Sequence, residues 1–364
     1  MSKHLGHHEP FVRMAKRDTI GSGKAAFIRA AAVLGALVTG ALIILALGHN
    51  PVQVYKEMAL GSLGTRTVLL ETIRIAIPLL ITSLAISLAF KMRFWNIGAE
   101  GQILAGAMAS SYFALFQYQN IPRVPLLLIM FFVAIVSGGL YGLLPAIFKA
   151  KWNTNETLFT LMLNYIALAF LQYLQNGPWK DPMQKGFPKI AMFNSVAKLP
   201  KVLNIHIGWI IALVLVVVVA VYLSKTKHGY EIAVVGESRN TAKYAGMHVG
   251  KIIMRTMFLS GALAGLVGCL QCAGADYTIT DTTAGGVGFT AITVAWLSKL
   301  NPYVMLIVAF AIAVLERGAN KIQTAFKIPA SAAEVLVGII LFFMLGCEFF
   351  INYKLIFRGR KEEI

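Results

Sequence analysis

The chain has 364 residues, of which 57% are hydrophobic and only 13% charged, and its formal net charge is +17. Soluble domains carry about 25% charged residues, so this composition excludes an ordinary water-soluble enzyme. Runs without charged side chains, such as 30–55, 124–148 and 202–224, exceed the roughly 20 residues that cross a bilayer as a helix. We predict an all-α, polytopic helical membrane protein.

The basic residues lie in short segments beside the apolar runs, at 91–93, 149–151, 225–227 and 358–361. Lys and Arg in such positions mark the cytoplasmic loops of membrane proteins. The same placement argues against a nucleic-acid partner, which would need an exposed basic face. It predicts a multi-pass protein of a cell membrane with both termini in the cytoplasm; the family resemblance given below implies that the membrane is bacterial.

We predict about ten transmembrane spans. Their ranges are 27–48, 67–90, 98–118, 124–148, 157–175, 205–223, 252–275, 285–299, 302–316 and 331–351. Residues 1–26 then form a cytoplasmic N-terminal segment, 27–351 the transmembrane domain, and 352–364 a cytoplasmic tail.

The third span begins with a polar segment broken by glycines, Asn96-Ile-Gly-Ala-Glu-Gly-Gln102. Backbone groups in hydrocarbon need internal partners, so such a break is tolerated only inside protein or beside water. The eighth span also opens on glycines, at 285–288. Because the third span is predicted to run outward and the eighth inward, spans 2–5 and 7–10 are predicted to form an inverted repeat. A solute path is expected between the two broken helices.

The connection between spans six and seven, 224–251, is long and amphiphilic. Ser238 or Asn240 can cap a short helix that ends at Gly246. A cytoplasmic helix with no lipid to cover is predicted to dock a cytoplasmic partner, and a solvated loop is the alternative.

Four segments occur in the order found in one transporter family. They read Phe94-Trp-Asn-Ile-Gly-Ala-Glu-Gly-Gln-Ile-Leu-Ala-Gly106, Asn155-Glu-Thr-Leu-Phe-Thr-Leu-Met-Leu-Asn-Tyr-Ile-Ala167, Gly229-Tyr-Glu-Ile-Ala-Val-Val-Gly236 followed by Asn240-Thr-Ala-Lys-Tyr-Ala-Gly246, and Gly288-Phe-Thr-Ala-Ile-Thr-Val-Ala295 with Asn301-Pro302. Over about 69–350 the chain resembles the permease subunits of bacterial ATP-binding cassette (ABC) importers for nucleosides and simple sugars, relatives of the ribose and branched-chain amino-acid permeases. Trp296 stands where a smaller residue is usual in that family, which bears on the size of the solute.

The resemblance implies a permease with no catalytic residues, no metal and no cofactor of its own. It implies four partners: a cytoplasmic ABC ATPase, a second related permease subunit, an extracytoplasmic solute-binding protein or lipoprotein, and membrane lipid. The chain has no Gly-x-x-x-x-Gly-Lys-Ser/Thr phosphate loop, so ATP would be used by the ATPase subunit. The residues expected to couple to that ATPase are Gly229, Tyr230, Glu231, Gly236, Asn240, Ala245 and Gly246.

A neutral, hydroxyl-rich solute needs polar groups that replace its water. The expected path residues are Asn96, Glu100, Gln102, Asn164, Tyr165 and Thr290. For the amides the alternative is bonding between helices, worth about 0.6 kcal/mol. Glu100 could instead lie at the cytoplasmic mouth, neutralised by Lys91 and Arg93.

Two other classes of protein compete with an ABC permease. An ion-coupled secondary transporter of a small polar solute is the main alternative, and it would take up solute without partners. An intramembrane enzyme is disfavoured, because the chain contains neither His-Glu-x-x-His nor Gly-x-Ser-x-Gly.

Overall fold

A computed structural model describes residues 12–16, 21–183 and 186–357. Most of the predicted N-terminal segment 1–26 and of the tail 352–364 lies outside these ranges, as does Lys185 of the outer loop. The described chain is almost entirely helical, with two short antiparallel ribbons.

The helices are given in chain order. They are α1 (Ser22–Ala46), α2 (Pro51–Leu63), α3 (Arg66–Lys91), α4 (Ala99–Phe116), α5 (Arg123–Trp152), α6 (Glu156–Asn176), α7 (Gly208–Lys225), α8 (Lys227–Glu237), α9 (Arg239–Tyr244), α10 (Val249–Leu270), α11 (Val287–Leu297), α12 (Pro302–Phe326) and α13 (Ala330–Asn352). One ribbon pairs β1 (Val12–Lys16) with β4 (Tyr353–Phe357), Val12 opposite Phe357. The other pairs β2 (Lys201–Val202) with β3 (Ile205–His206), Lys201 opposite His206.

Eight helices of the described chain are long and apolar enough to cross a membrane: α1, α3, α5, α6, α7, α10 with its continuation to Asp276, α12 and α13. This confirms the all-α membrane fold. The count of ten is not confirmed, because α4 lies outside that group and α11 has only 11 residues. Both are the helices that open on a glycine-rich break.

The predicted end of the ninth span at residue 316 lies inside a longer helix, because α12 continues through Glu316 and Arg317 to Phe326. A helix keeps its backbone hydrogen bonds whatever the charge of its side chains, so an isolated pair of charges does not terminate it.

The described chain divides into two compact units, 1–58 with 319–364 and 59–318. In the first, α1 lies against α13, and Arg29 Nη2 pairs with Glu348 Oε1 at 2.7 Å. The second unit contains all the residues expected to line the path or to couple to a partner.

Glycines bring α4, α5 and α10 into close contact in the second unit. A Cβ on Gly106 would overlap the backbone of Gly265, and one on Gly138 would overlap that of Gly261. Small residues at helix crossings allow such close approach within membranes. The break before α4 is therefore attached to the most tightly packed part of the unit.

Candidate functional site

The break between α3 and α4 is held by a pair of enclosed amides. Asn96 is fully buried, and its Nδ2 donates to Gln102 Oε1 at 3.2 Å and to Ser260 Oγ at 3.3 Å. Its Oδ1 accepts from the backbone N–H of Gly98 at 3.0 Å and from Gln102 Nε2 at 3.2 Å. Both atoms of the Asn96 amide are thus bonded to protein groups of α4 and α10.

Two side chains on the face of α6 that packs against α4 bond to the backbone of the break and of the first turn of α4. Asn164 Oδ1 accepts from Gly101 N at 2.8 Å, and its Nδ2 donates to Ile97 O at 2.9 Å. Thr160 Oγ1 accepts from Ile97 N at 3.2 Å. These bonds satisfy backbone groups that a helix start leaves without partners. The geometry gives Asn96, Gln102 and Asn164 a bracing role; that they also line the path stays a prediction.

Glu100 joins the beginnings of the two broken helices. It lies in the first turn of α4, and its carboxylate accepts from Gly286 N and Gly288 N, each at 2.7 Å, at the start of α11. A carboxylate is favoured at a helix N-terminus, where unbonded N–H groups and the helix dipole converge. The alternative pairing with Lys91 and Arg93 is wrong: among the ion pairs of the described residues, Glu100 has neither as partner.

The remaining two expected path residues lie on exposed helix faces. Tyr165 is 61% exposed on α6, next to Asn164, which is buried against α4. Thr290 is half-buried on α11, one turn from the Glu100 contact. Neither is among the residues that brace the break.

The linker that leads into α11 is anchored differently. After α10 the chain makes a π-helical turn, Gln271–Asp276, and Tyr277 takes a left-handed backbone conformation with φ 56°. Arg74 of α3 donates to Ala275 O at 2.6 Å and lies 3.9 Å from the Asp276 carboxylate. π-Helical turns often occur at functional sites.

The loop between α6 and α7, which the predicted topology places outside the membrane and which we call the outer loop, packs on this linker. Phe193 N donates to Tyr277 O at 2.7 Å, and Leu199 N donates to Ala273 O at 3.0 Å. The ammonium groups of Lys198 and Lys201 lie 4.7 and 5.7 Å from the centroid of the Tyr277 ring. The outer loop therefore holds the linker mainly through backbone bonds and cation–π contacts.

His206 packs against the π-helical turn of the same linker. It is 3% exposed, its Nδ1 accepts from Gly208 N at 3.2 Å, and its ring leaves no room for a Cβ on Gly274. Burial, assisted by the positive charges of Arg74 and Lys201, lowers the pKa of His206 to about 4. The ring is therefore neutral at physiological pH.

Three of the expected coupling residues contact the chain itself. Gly229 allows the sharp corner between α7 and α8, where a Cβ would overlap the backbone carbonyls of Tyr222 and Leu223. Glu231 pairs with Arg255 Nη2 of α10 at 2.9 Å. Gly236 lies against the backbone carbonyl of Lys91 at the end of α3. This segment is thus attached to α3, which leads into the first break, and to α10, whose Ser260 bonds to Asn96 of that break.

The other expected coupling residues, Tyr230, Asn240, Ala245 and Gly246, are exposed. The short helix α9 confirms the predicted cap, because Ser238 Oγ accepts from Thr241 N at 3.2 Å and Gly246 follows the helix with φ 75°.

Sequence reasoning missed two features of this segment. It missed α8, because an 11-residue amphiphilic helix lacks the apolar run of a span. It also missed Tyr244, which is 94% exposed at the end of α9. The signal was present, since an aromatic residue at the end of a helix that is predicted to be cytoplasmic has no lipid to cover.

The permease component of branched-chain amino-acid transport systems is the family whose sequence model matches residues 68–345. Among individual proteins, the glucose ABC transporter permease of Haloferax volcanii is 33% identical, with 88% of this chain and 87% of the relative covered. The guanosine ABC transporter permease of Bacillus subtilis is 32% identical, with 86% and 91% covered. The nucleoside ABC transporter permease of Lactococcus lactis is 31% identical, with 89% and 91% covered.

Among solved structures, an inward-facing metal-chelate type ABC transporter matches with a TM-score of 0.45 at 17% identity, over 90% of this chain and 99% of that one. Structural likeness at this level adds no argument about the solute.

Proposed function

The chain belongs to the family of branched-chain amino-acid transport permeases, and we propose that it is the membrane-spanning subunit of an ABC importer for nucleosides or simple sugars. The observation that carries this proposal is the meeting of two broken helices at Glu100 inside an otherwise apolar unit. The three relatives described above are named as ABC transporter permeases for a nucleoside, guanosine or glucose. They favour this function over an ion-coupled secondary transporter.

The solute path is proposed to run beside α4 and α11. Glu100 keeps the two helix starts together, so a movement of one is passed to the other. Asn96, Gln102, Asn164, Tyr165 and Thr290 are proposed to contribute polar or aromatic groups when alternating access opens the break. The closed amide network of Asn96 and Gln102 supports a state in which the break is shut.

A separate cytoplasmic ATPase is proposed to dock on α8 and α9. Aromatic residues are enriched where partner proteins bind most strongly, and Tyr230 and Tyr244 are 64% and 94% exposed there. Gly236 and Glu231 connect the same segment to α3 and α10. A push from the ATPase would therefore reach α3, which leads into the first break, and α10, which bonds to Asn96 of that break.

The charge of the outer loop and the membership of the family support the other proposed partners. The lysines of the outer loop would steer the acidic face of a solute-binding protein or lipoprotein; Lys180, Lys189 and Lys201 are exposed there and Lys198 is half-buried. A second, related permease subunit and membrane lipid would cover the apolar outer faces of the helices.

The chain is proposed to lie in the cell membrane with both termini cytoplasmic. The coupling segment packs at the Lys91 end of α3 and the linker at its Arg74 end. Arg74 and Lys91 are 17 positions apart on α3, about 26 Å at 1.5 Å per residue, so these two regions fit opposite halves of a bilayer.

The test uses the complete transporter reconstituted with its ATPase and solute-binding protein. Tyr244→Ala and, separately, Ala245→Lys should lower solute-stimulated ATPase activity about tenfold or more, while the binding protein still docks. Tyr173→Ala is the matched control, because Tyr173 is 64% exposed at the far end of α6. Wild-type ATPase stimulation in both α9 variants would refute the docking assignment. Gly236 is a poorer probe, because any side chain there also displaces the end of α3.

A further inference from the structure

One face of α11 carries two hydroxyl side chains between two aromatic ones. We call it the α11 strip: Phe289, Thr290, Thr293 and Trp296. At 100° per residue these four share one side of the helix, while Gly288, Ala291, Val294 and Ala295 are buried on the other. Phe289 is 46% and Trp296 44% exposed, and both threonines are half-buried.

The hydroxyls of the strip have no protein partner among the described residues. Several helical hydroxyls donate to the carbonyl four residues earlier, as Thr39 does at 2.8 Å, Thr160 at 2.8 Å and Ser224 at 2.7 Å. Those of Thr82 and Thr256 are buried and have no partner among the described residues. Thr290 and Thr293 make no such bond, in contrast to the first three. An unmet hydroxyl is unfavourable against lipid, so this side of α11 suits a polar occupant.

An aromatic cluster lies at the end of the strip. The Trp95 and Trp296 ring centroids are 5.7 Å apart with their planes inclined at 31°, and Phe90 lies 5.4 and 5.8 Å from the two. Trp95 is 47% exposed and immediately precedes Asn96 of the break. The strip therefore extends from the Glu100 contact to two indole rings with accessible surface.

We propose that the α11 strip and Trp95 form a surface over which a nucleoside passes, its base stacked on the indole rings and its ribose hydroxyls bonded by Thr290 and Thr293. The inference rests on the proposed import function and narrows its solute class. Every nucleobase offers a flat π-face to an aromatic side chain, whereas a hexose such as glucose offers only its C–H face. Unbonded threonine hydroxyls beside large rings match a solute that is planar at one end and hydroxylated at the other.

Cysteine labelling separates this surface from one that faces lipid. Cys269, Cys272 and Cys347 are buried, so the wild-type chain gives a low background. In open membrane fragments of cells with the whole transporter, Thr293→Cys should react with a charged, water-soluble thiol reagent, and guanosine should slow the reaction. Val217→Cys, on the 52% exposed side of α7, is the control expected to stay unlabelled. Labelling of Thr293→Cys no faster than that of Val217→Cys would overturn the proposal.

Uptake by whole cells tests the solute class. In cells lacking the native gene, Trp296→Ala should lower guanosine uptake about tenfold relative to the wild-type chain, and Trp296→Phe should retain most of it. Trp152→Ala is the matched control, because Trp152 is 63% exposed and also contacts a phenylalanine ring, that of Phe148 at 5.2 Å.

The outcomes distinguish this inference from the function on which it rests. Unchanged guanosine uptake with Trp296→Ala overturns the stacking surface alone. Uptake of glucose but not guanosine by the wild-type chain overturns the nucleoside assignment and leaves the importer intact. Uptake of neither solute refutes both.

Discussion

Two segments precede the helices that meet at Glu100: the break before α4 and the linker before α11. Different contacts hold each segment in place. The break before α4 spans seven residues, 92–98, between Lys91 and Ala99, and its braces are buried side-chain amides of Asn96, Gln102 and Asn164. The linker before α11 runs from 271 to 286. Its braces are Arg74, a buried histidine and backbone bonds from the outer loop.

The difference indicates which break can move. Enclosed amides in a low-dielectric site are costly to separate, because each loses its partner without gaining water. Bonds from a surface loop can be exchanged when a protein docks on that loop. The first break is therefore expected to open less readily than the linker, and we expect an outer partner that docks on the loop to change the position of α11 first.

The largest expected effect is at the first break. Asn96→Leu leaves both polar atoms of the Gln102 amide and the Gly98 N–H without partners, at 1–3 kcal/mol each, so we expect a loss of roughly 4 kcal/mol in unfolding free energy. Detergent-induced unfolding in mixed micelles measures it. Asn120→Leu, at an exposed turn, should change stability little, and equal effects of the two variants would show that the amide network is not the brace.

The second largest effect concerns pH and the linker. Because the pKa of His206 is lowered to about 4 from 6.5, the unfolded chain binds the proton more readily. Stability from the neutral ring is complete above pH 6.5 and is lost as pH falls toward 4, by about 3 kcal/mol in full.

Thermal unfolding between pH 7 and pH 5 tests this expectation. The steep fall of the wild-type midpoint should flatten in His206→Gln and persist in His228→Gln, which alters an exposed histidine. Parallel curves for wild type and His206→Gln would contradict it.

A smaller effect is expected at the shared carboxylate. Glu100→Gln keeps the shape but presents an N–H₂ group to one of the two N–H donors of Gly286 and Gly288. The lost charge-assisted bond should cost about 2 kcal/mol and loosen the start of α11. Hydrogen exchange at 286–290 should accelerate, while exchange at 99–105 changes less. A larger acceleration at 99–105 would show that the start of α4 is held more weakly than the start of α11.

The smallest effect is expected where the outer loop meets Tyr277. Lys198→Ala removes the closer ammonium, 4.7 Å from the ring centroid, and a cation–π contact at an exposed site is worth about 0.5–1 kcal/mol. Local hydrogen exchange at 271–280 should rise severalfold without a change in overall stability. Lys189→Ala is the control, and an equal rise there would indicate a general charge effect.

Much of the first break could be predicted from the sequence. A polar, glycine-broken stretch between apolar runs has few stable places in a membrane, so Asn96–Gln102 stood out, as did the opening of α11 on glycines. The partner of Glu100 could not be predicted. Lys91 and Arg93 are near in sequence, whereas Gly286 and Gly288 are 186 and 188 residues away, and only folding brings them together.

The coupling segment shows the same division. The Ser238 cap and the Gly246 stop follow from local backbone preferences, which a few neighbouring residues determine. Helix packing decides which residues of the segment contact α3 or α10 and which ones, such as Tyr244, stay exposed.

By itself, the sequence determined the membrane location, the broken helices and the transporter family, since these follow from local hydropathy, glycine placement and residue order. Only the tertiary structure decided which polar groups are satisfied internally, because a hydrogen bond depends on atoms meeting within about 3 Å. That is why the amides brace the break, and why the α11 strip keeps its unbonded hydroxyls.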